Sequence, residues 1–248
     1  MKITFLGTGT STGIPQIACS CRTCTSSDPK DHRLRVSVCI EINGERIIID
    51  CGPDFRQQVL KQRIDKLNHI LITHAHYDHV GGLDDVRPFG NVTIYAEQQV
   101  VKHIKRSMPY CFSKNPYPGV PKFKLRVIDE NPFKINDTCI QPIRAMHANL
   151  PVLGFKIANM AYITDLKHID EAWIEQLNDL DVLILNALRH KIHFSHLNFE
   201  EAIQLSQKIN AKKTYFTHFS HDAGTHNDLL NFLPDHVYPA YDNLILEV

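Results

Sequence analysis

Four side chains able to ligate a metal or move a proton fall within six residues: His74, His76, Asp78 and His79, in the segment Thr73-His74-Ala75-His76-Tyr77-Asp78-His79. Directly before them, His69-Ile70-Leu71-Ile72 reads as a short buried strand, so the ligating groups begin where the strand ends. Loops leaving the carboxyl ends of strands are where open α/β sheets gather their ligands. On extended backbone, side chains two residues apart leave on the same side, which lets His74 and His76 share one ion. Asp78 and His79, on the turn beyond, are placed for a second. A solvated polar loop is the plain alternative, but the density and order of His-x-His-x-Asp-His favour a metal site.

A second cluster, Cys19-Ser20-Cys21-Arg22-Thr23-Cys24, puts three thiols in six residues of a segment too polar to need them as core filling. Thiolates this close can occupy three corners of a zinc tetrahedron, the fourth ligand coming from elsewhere in the chain. Unligated thiols and a redox Cys-x-x-Cys remain the alternatives. Cys39, Cys51, Cys111 and Cys139 stand alone in apolar or strand-like surroundings and are expected to be buried small hydrophobes. Further imidazoles and carboxylates stand where predicted strands end: His147, Asp165, and His218-Phe219-Ser220-His221.

The elements that must position these groups follow from periodicity and turn chemistry. Lys2–Leu6 is a strand leading into Gly7-Thr8-Gly9, a loop that either lets backbone approach a ligand or simply turns tightly. Val36–Ile42 and Arg46–Ile49 form a hairpin about Asn43-Gly44, ending in Asp50-Cys51-Gly52. Pro53 opens a helix through about Arg63, with Phe55, Val59 and Leu60 on its inner face. Val92–Ala96 is a strand and Glu97–Ser107 a helix. Phe123–Ile128, Phe133–Ile135, Cys139–Ala145, Gly154–Ile157 and Met160–Ile163 read by their spacing as an antiparallel second sheet. A helix over Ile169–Leu177, the buried strand Val182–Leu185, a helix over Phe199–Ile209 capped by Asn198, a strand over Thr214–Thr217, a short helix near Asp228–Phe232 and a strand over Leu244–Glu247 complete the chain. Residues 108–121 carry four prolines among Tyr110, Phe112 and Tyr117, which suits either a lid over the site or a packed cover.

With 248 residues and no linker-like shift in composition, one domain over 1–248 is expected. Lys plus Arg and Asp plus Glu both number 27, so no global positive field gathers nucleic acid. The start of the chain reads as a strand without a cationic leader, and seven Cys favour free or metal-bound thiols; both point to a cytoplasmic protein without membrane spans.

The His-x-His-x-Asp-His segment followed by Gly81-Gly82 resembles the metallo-β-lactamase superfamily, and the spacing of the later strand-end ligands extends that resemblance over essentially the whole chain. The resemblance implies an α/β fold, an αβ/βα sandwich of two mixed sheets flanked by helices. It implies that His74, His76 and His147 hold one catalytic ion, that Asp78, His79 and His218 hold the second, that Asp165 bridges them, and that Asp50 supports the ligands from behind. The Gly-Thr-Gly segment, the Cys cluster and Ser195-His196-Leu197-Asn198 are most similar to the phosphodiesterase branch, the phosphoribosyl cyclic phosphodiesterases. There a structural zinc would sit on Cys19, Cys21, Cys24 and His221, with His32 and His226 as other imidazoles able to supply the fourth ligand.

That resemblance implies hydrolysis of a small phosphodiester, cyclic ribose phosphates included, by hydroxide formed from water held between two divalent ions, with Asp78 in the catalytic set. Zinc, manganese or iron would serve, since imidazole and carboxylate accept all three. His196 would donate a proton or hydrogen bond, with His190 and His193 as rivals. An RNA-processing endonuclease of ribonuclease Z type is the alternative, weakened by the neutral charge and the missing tRNA-clamping arm. A non-enzymatic metal-binding scaffold is a third. The resemblance also implies a homodimer.

Overall fold

The computed structural model describes all 248 residues. Two seven-stranded sheets pack face to face, with helices on both outer surfaces. The first contains β1 (Lys2–Gly7), β2 (Ser37–Ile42), β3 (Glu45–Ile49), β4 (His69–Leu71), β5 (Asn91–Ala96) and β6 (Lys122–Val127) in that spatial order. The closing strand β14 (Ile245–Glu247) pairs outside β1. The second sheet runs β7 (Phe133–Ile135), β8 (Thr138–His147), β9 (Leu150–Ile157), β10 (Met160–Ile163), β11 (Val182–Asn186), β12 (Lys213–Thr217) and β13 (Val237–Pro239). Helices α1 (Phe55–Gln62), α2 (Tyr77–Val80) and α3 (Gln98–Ser107) belong to the first half of the chain. Helices α4 (Glu171–Ile174), α5 (Phe199–Ile209) and α6 (His226–Phe232) belong to the second.

Continuous apolar strands are what a doubly covered sheet requires, and β3 shows the consequence residue by residue. Ile47 and Ile49 point between the sheets, beside Phe5, Leu71, Phe155 and Ile184, while Ile48 points out beneath α1 and α3 with Phe55, Ile94 and Ile104. On the far side, Leu183 and Leu185 of β11 meet Phe199 and Ala202 of α5. Asn198 caps α5 by accepting from the Glu201 amide at 2.9 Å, and Glu201 closes the reciprocal bond to the Asn198 amide.

Several expectations are corrected. The strand at 122–127 lies in the first sheet, parallel to β5 with Asn91 opposite Lys122 and Ala96 opposite Val127. Helix α3 carries the chain back to the start of β5, so the next strand must run parallel to it; spacing alone cannot distinguish this crossover from a hairpin. Beyond β10 the second sheet is parallel, not antiparallel. Helix α1 begins at Phe55 and not at Pro53, and its inner face is Phe55, Gln58 and Val59; Leu60 is 59 % exposed because five residues of helix turn it about 140° from Phe55. The segment 169–177 contains one turn of α4 and a 3-10 turn. Asp78 and His79 stand in the first turn of α2, and β13 was not foreseen. Cys139 is exposed and Cys111 half-buried, since each lies on strand or loop surface that no layer covers, whereas Cys39 and Cys51 are buried.

Residues 108–121 lead from the end of α3 into the start of β6, the opposite end of the sheet from the one where His74 emerges. Tyr110 donates to Asp84 at 2.7 Å and stacks on Tyr117, and Phe112 packs on Phe123. Met108, Val120 and Pro121 at its ends are buried while residues 112–119 are exposed, and its place in the fold removes the segment from the mouth of the site.

Two glycines fasten the loop after β3 to α2. The Cys51 amide donates to the His79 carbonyl at 2.8 Å and the Gly82 amide to the Cys51 carbonyl at 2.9 Å. A Cβ at Gly82 would lie 2.0 Å from the Gly52 carbonyl oxygen, and one at Gly52 would lie 2.1 Å from that of Asp78. Neither contact can be relieved without separating the two backbones. Gly82→Ala is therefore expected to lower the thermal midpoint by several degrees and to weaken metal retention, both read on purified protein; an unchanged midpoint would show that the loops part easily.

Candidate metal centre

Six strand ends converge at one edge of the sandwich. Asp50 follows β3, Thr73 to His79 follow β4, His147 ends β8, Asp165 follows β10, Asn186 ends β11 and His218 follows β12. Asp50, Asp165 and His218 have φ of 65°, 56° and 62°, the left-handed region that costs non-glycine residues on the order of 1 kcal/mol or more. Each chain turns sharply there, which aims the side chain across the gap between the sheets.

Donor atoms gather in three overlapping groups, each within 4.8 Å: His74, His79 and Asp165; Asp78, His79 and His218; and His147, Asp165 and His196. Asp165 belongs to two of them. The third group contains His196 where the sequence suggested His76. The His76 ring is exposed, centred 4.5 Å from His74 and 5.2 Å from His147, beside the tight groups.

Neighbouring groups settle which ring nitrogens face inward. His147 Nδ1 lies 2.9 Å from the Ser195 carbonyl, which can only accept, so Nδ1 carries the proton and Nε2 keeps its lone pair. Thr73 spends its hydroxyl proton on Asp50 at 3.0 Å and accepts from His74 Nδ1 at 3.0 Å, which leaves His74 Nε2 free. Asp50 also accepts the Thr73 amide at 2.9 Å and His79 Nδ1 at 2.7 Å. A carboxylate behind an imidazole in this way orients the ring and raises its basicity toward a cation.

The inward nitrogens are left without partners. Nε2 of His74, His79 and His218 are all buried and accept or donate no hydrogen bond, a costly arrangement for groups with nothing to bind. Asp165 lies 3.2 Å from His79 Nε2 and 3.3 Å from His218 Nε2, and Asp78 3.3 Å from His79 Nε2. Burial pushes the His74 imidazole well below its ordinary value, with the charge of His79 adding to the effect. Burial also pulls His79 down, but Asp50, Asp165 and Asp78 outweigh it and hold that ring well above the ordinary value. Burial raises Asp78 and Asp165, and the surrounding imidazoles more than reverse it in both. Carboxylates that stay ionised in a buried cluster and draw a proton onto a neighbouring ring will draw a divalent cation in its place. The donor set fits such ions.

The second cluster is separate. His221 Nδ1 lies 3.3 Å from Cys19 Sγ and 3.4 Å from Cys21 Sγ, and these three donors with Cys24 Sγ all fall within 4.8 Å. Zn–S bonds of about 2.3 Å place the ligands of one tetrahedron about 4 Å apart, so the four fit a zinc ion without rearrangement. The Cys24 amide, then His221, lower the Cys21 thiol to about 6, while burial raises Cys24 to about 11. His32 instead bonds the Ser26 carbonyl, and His226 stands outside the cluster.

Of the rivals for the proton-donating role, His190 packs edge-on against Phe199 and Phe232, away from the centre. His193 remains near, its ring 5.2 Å from that of His196. His196 is buried between His147 and His218, at 4.5 and 4.8 Å between centroids. Burial, then the charge of His218, hold its imidazole down at about 3. Sequence reasoning missed Thr73 and Asn186. Asn186 clamps the turn after Asp165, accepting the Leu166 amide at 2.7 Å and donating to its carbonyl at 3.1 Å. The signal was present: a lone amide closes the apolar run Val182–Leu185.

Residues 45–219 match the model of the beta-lactamase superfamily domain, and the chain belongs to that superfamily and has the metallo-β-lactamase fold. Within it the chain is 36 % identical to a diphosphatase from the PhnP family, whose crystal structure superposes with a TM-score of 0.93 over 100 % of this chain and 97 % of that one. The short form of human tRNase Z shares the fold, with a TM-score of 0.70, 21 % identity and coverage of 100 % of this chain and 99 % of that one. A protein of Porphyromonas gingivalis named octanoyltransferase is 45 % identical over 250 residues, 98 % of this chain and 51 % of that protein. A ribonuclease Z of Methanococcus maripaludis is 29 % identical over 130 residues, 48 % of this chain and 36 % of that protein. The chain thus spans about half or less of the length of these curated relatives. No helix is long and apolar enough to cross a membrane.

Proposed function

We propose that the chain hydrolyses small phosphodiesters at a dinuclear centre, cyclic ribose phosphates among them, and carries a structural zinc beside it. The observation that carries this reading is the set of three buried, unpartnered imidazole nitrogens facing the carboxylates of Asp78 and Asp165. His74, His76 and His147 would hold one divalent ion, Asp78, His79 and His218 the other, and Asp165 both; zinc and manganese suit these donors. Such ions lower the pKa of bound water to about 7 and neutralise charge growing on phosphoryl oxygens.

The chain's own residues supply the rest. Asp50, Thr73 and the Ser195 carbonyl keep the imidazole lone pairs aimed inward. His196 Nδ1 is buried without a partner, 3.8 Å from Asp165 Oδ1, and the neutral ring can offer the departing oxygen a hydrogen bond. The kinship with a diphosphatase of the PhnP family supports phosphoryl chemistry. The octanoyltransferase name belongs to a chain about twice as long, and imidazole and carboxylate donors support hydrolysis in this half. The substrate is taken to be a small molecule and not RNA because the net charge is zero; the protein is taken to be cytoplasmic and dimeric.

The test compares kcat/KM for a ribose cyclic phosphate, an aryl phosphodiester and a precursor tRNA at two salt concentrations. Faster, steeply salt-dependent cleavage of the tRNA would transfer the assignment to a ribonuclease Z type of activity. His196→Ala is expected to lower kcat by about 10²- to 10⁴-fold on alkyl leaving groups and far less on p-nitrophenolate, which needs no proton. Its metal content should equal that of the unaltered protein. Loss of an ion from that variant would instead make His196 a ligand.

A further inference from the structure

Aromatic rings line one side of the centre. Centroids run from Phe194 to His193 at 4.9 Å, to His196 at 5.2 Å, to His147 at 4.5 Å and to His76 at 5.2 Å, and Tyr77 follows His76 in the chain. The middle of the row is buried, while its two ends stand in solvent, Phe194 78 % and Tyr77 70 % exposed. Among large apolar side chains only Ile17 and Ile192 are comparably exposed. The Tyr77 ring lies over Gly81, where a Cβ would meet it at 2.7 Å, and His193, against which Phe194 packs, accepts the Ser195 amide at its Nδ1 at 3.3 Å. Flat apolar surfaces held in water at the rim of a polar centre offer a stacking face to whatever part of the substrate projects from it.

We propose that Tyr77 and Phe194 are specificity residues that hold a planar aromatic group, a nucleobase or an aryl ring, on the non-reacting side of the phosphodiester. The chain then favours nucleoside and aryl phosphodiesters over those of bare sugars or alkyl alcohols. This deepens the phosphodiesterase reading and rests on it. The metal centre between the two ends would hold the phosphodiester's reacting side, so the aromatic group is the part left to meet the rim.

The test uses two diesters with one leaving group, bis(p-nitrophenyl) phosphate and methyl p-nitrophenyl phosphate, on the metal-loaded full chain. Phe194→Ala is expected to lower kcat/KM about 10-fold for the bis-aryl substrate, mainly through KM, and to leave the methyl ester within about twofold; a stacking contact of one base has this size. Tyr77→Ala should act in the same direction, and Phe194→Leu should restore little, since it keeps apolar area and loses the ring. Independently of turnover, adenosine 5′-monophosphate should bind the unaltered protein about 10-fold tighter than ribose 5-phosphate by calorimetry, and Phe194→Ala should erase the difference. Equal losses on both diesters, or no preference for the nucleotide, would overturn the proposal. So would a variant that only dissociates a dimer in sedimentation while the substrate ratio stays fixed, because the rim would then be an interface between copies. If the unaltered protein cleaves neither diester, the phosphodiesterase reading fails, and the binding comparison still decides the aromatic contact.

Discussion

Asp165→Asn is expected to abolish hydrolysis, with kcat on a phosphodiester falling by on the order of 10³-fold or more, while the fold survives. The carboxylate stands between two rings, 3.2 Å from His79 Nε2 and 3.3 Å from His218 Nε2, and belongs to two of the three donor groups, so its loss weakens both ion sites together. Two ions sharing the phosphoryl charge are worth several kcal/mol in the transition state, and each 1.36 kcal/mol is a factor of ten in rate. Asn is the informative replacement. Residue 165 has φ of 56°, a conformation that Asn tolerates nearly as well as Asp, so backbone strain does not confuse the result. The amide can still accept from Thr164, which bonds the present side chain at 2.9 Å. Elemental analysis should show fewer catalytic ions per chain with circular dichroism unchanged. Full activity in a variant that has lost an ion would refute the dinuclear reading.

Cys21→Ser should remove one zinc per chain and lower the thermal midpoint by roughly 6–12 °C, taking about 3 kcal/mol lost with a structural ligand and about 2–4 °C per kcal/mol for a chain of this size. Cys21 is the sharpest choice because its thiol, stabilised as thiolate first by the Cys24 amide and then by His221, sits at about 6. A serine hydroxyl has no such anion to offer. The effect should reach the catalytic centre, since His221 lies three residues past His218 on a segment held by the Phe219 amide to Thr8 at 3.0 Å and the Ser220 amide to Leu188 at 3.0 Å. A modest fall in activity, recovered on adding catalytic metal, is therefore expected. A disulfide among Cys19, Cys21 and Cys24 in reducing buffer, or an unchanged zinc count, would defeat the prediction.

Several parts of this protein are legible in the sequence because their information is local. The His-x-His-x-Asp-His segment after an apolar strand, the three clustered thiols, the Asn43-Gly44 hairpin and the Asn198 cap each follow from a few adjacent residues, because spacing along a strand or turn sets which side chains can meet. Resemblance extended that reading to His147, Asp165 and His218, which no periodicity could have joined. Tertiary structure decided the rest. Whether 122–127 pairs as a hairpin or by a crossover depends on where α3 delivers the chain, so only the assembled sheet places β6 beside β5 and carries residues 108–121 away from the centre. Which nitrogen of each imidazole faces inward depends on Asp50, Thr73 and the Ser195 carbonyl, which approach from other segments. Packing likewise separates the nearby imidazoles: Phe199 and Phe232 engage His190, while His196 is buried against His147 and His218 with His193 beside it. Side-chain chemistry is written residue by residue, but the direction in which it is aimed is set by backbone that folds back from far along the chain.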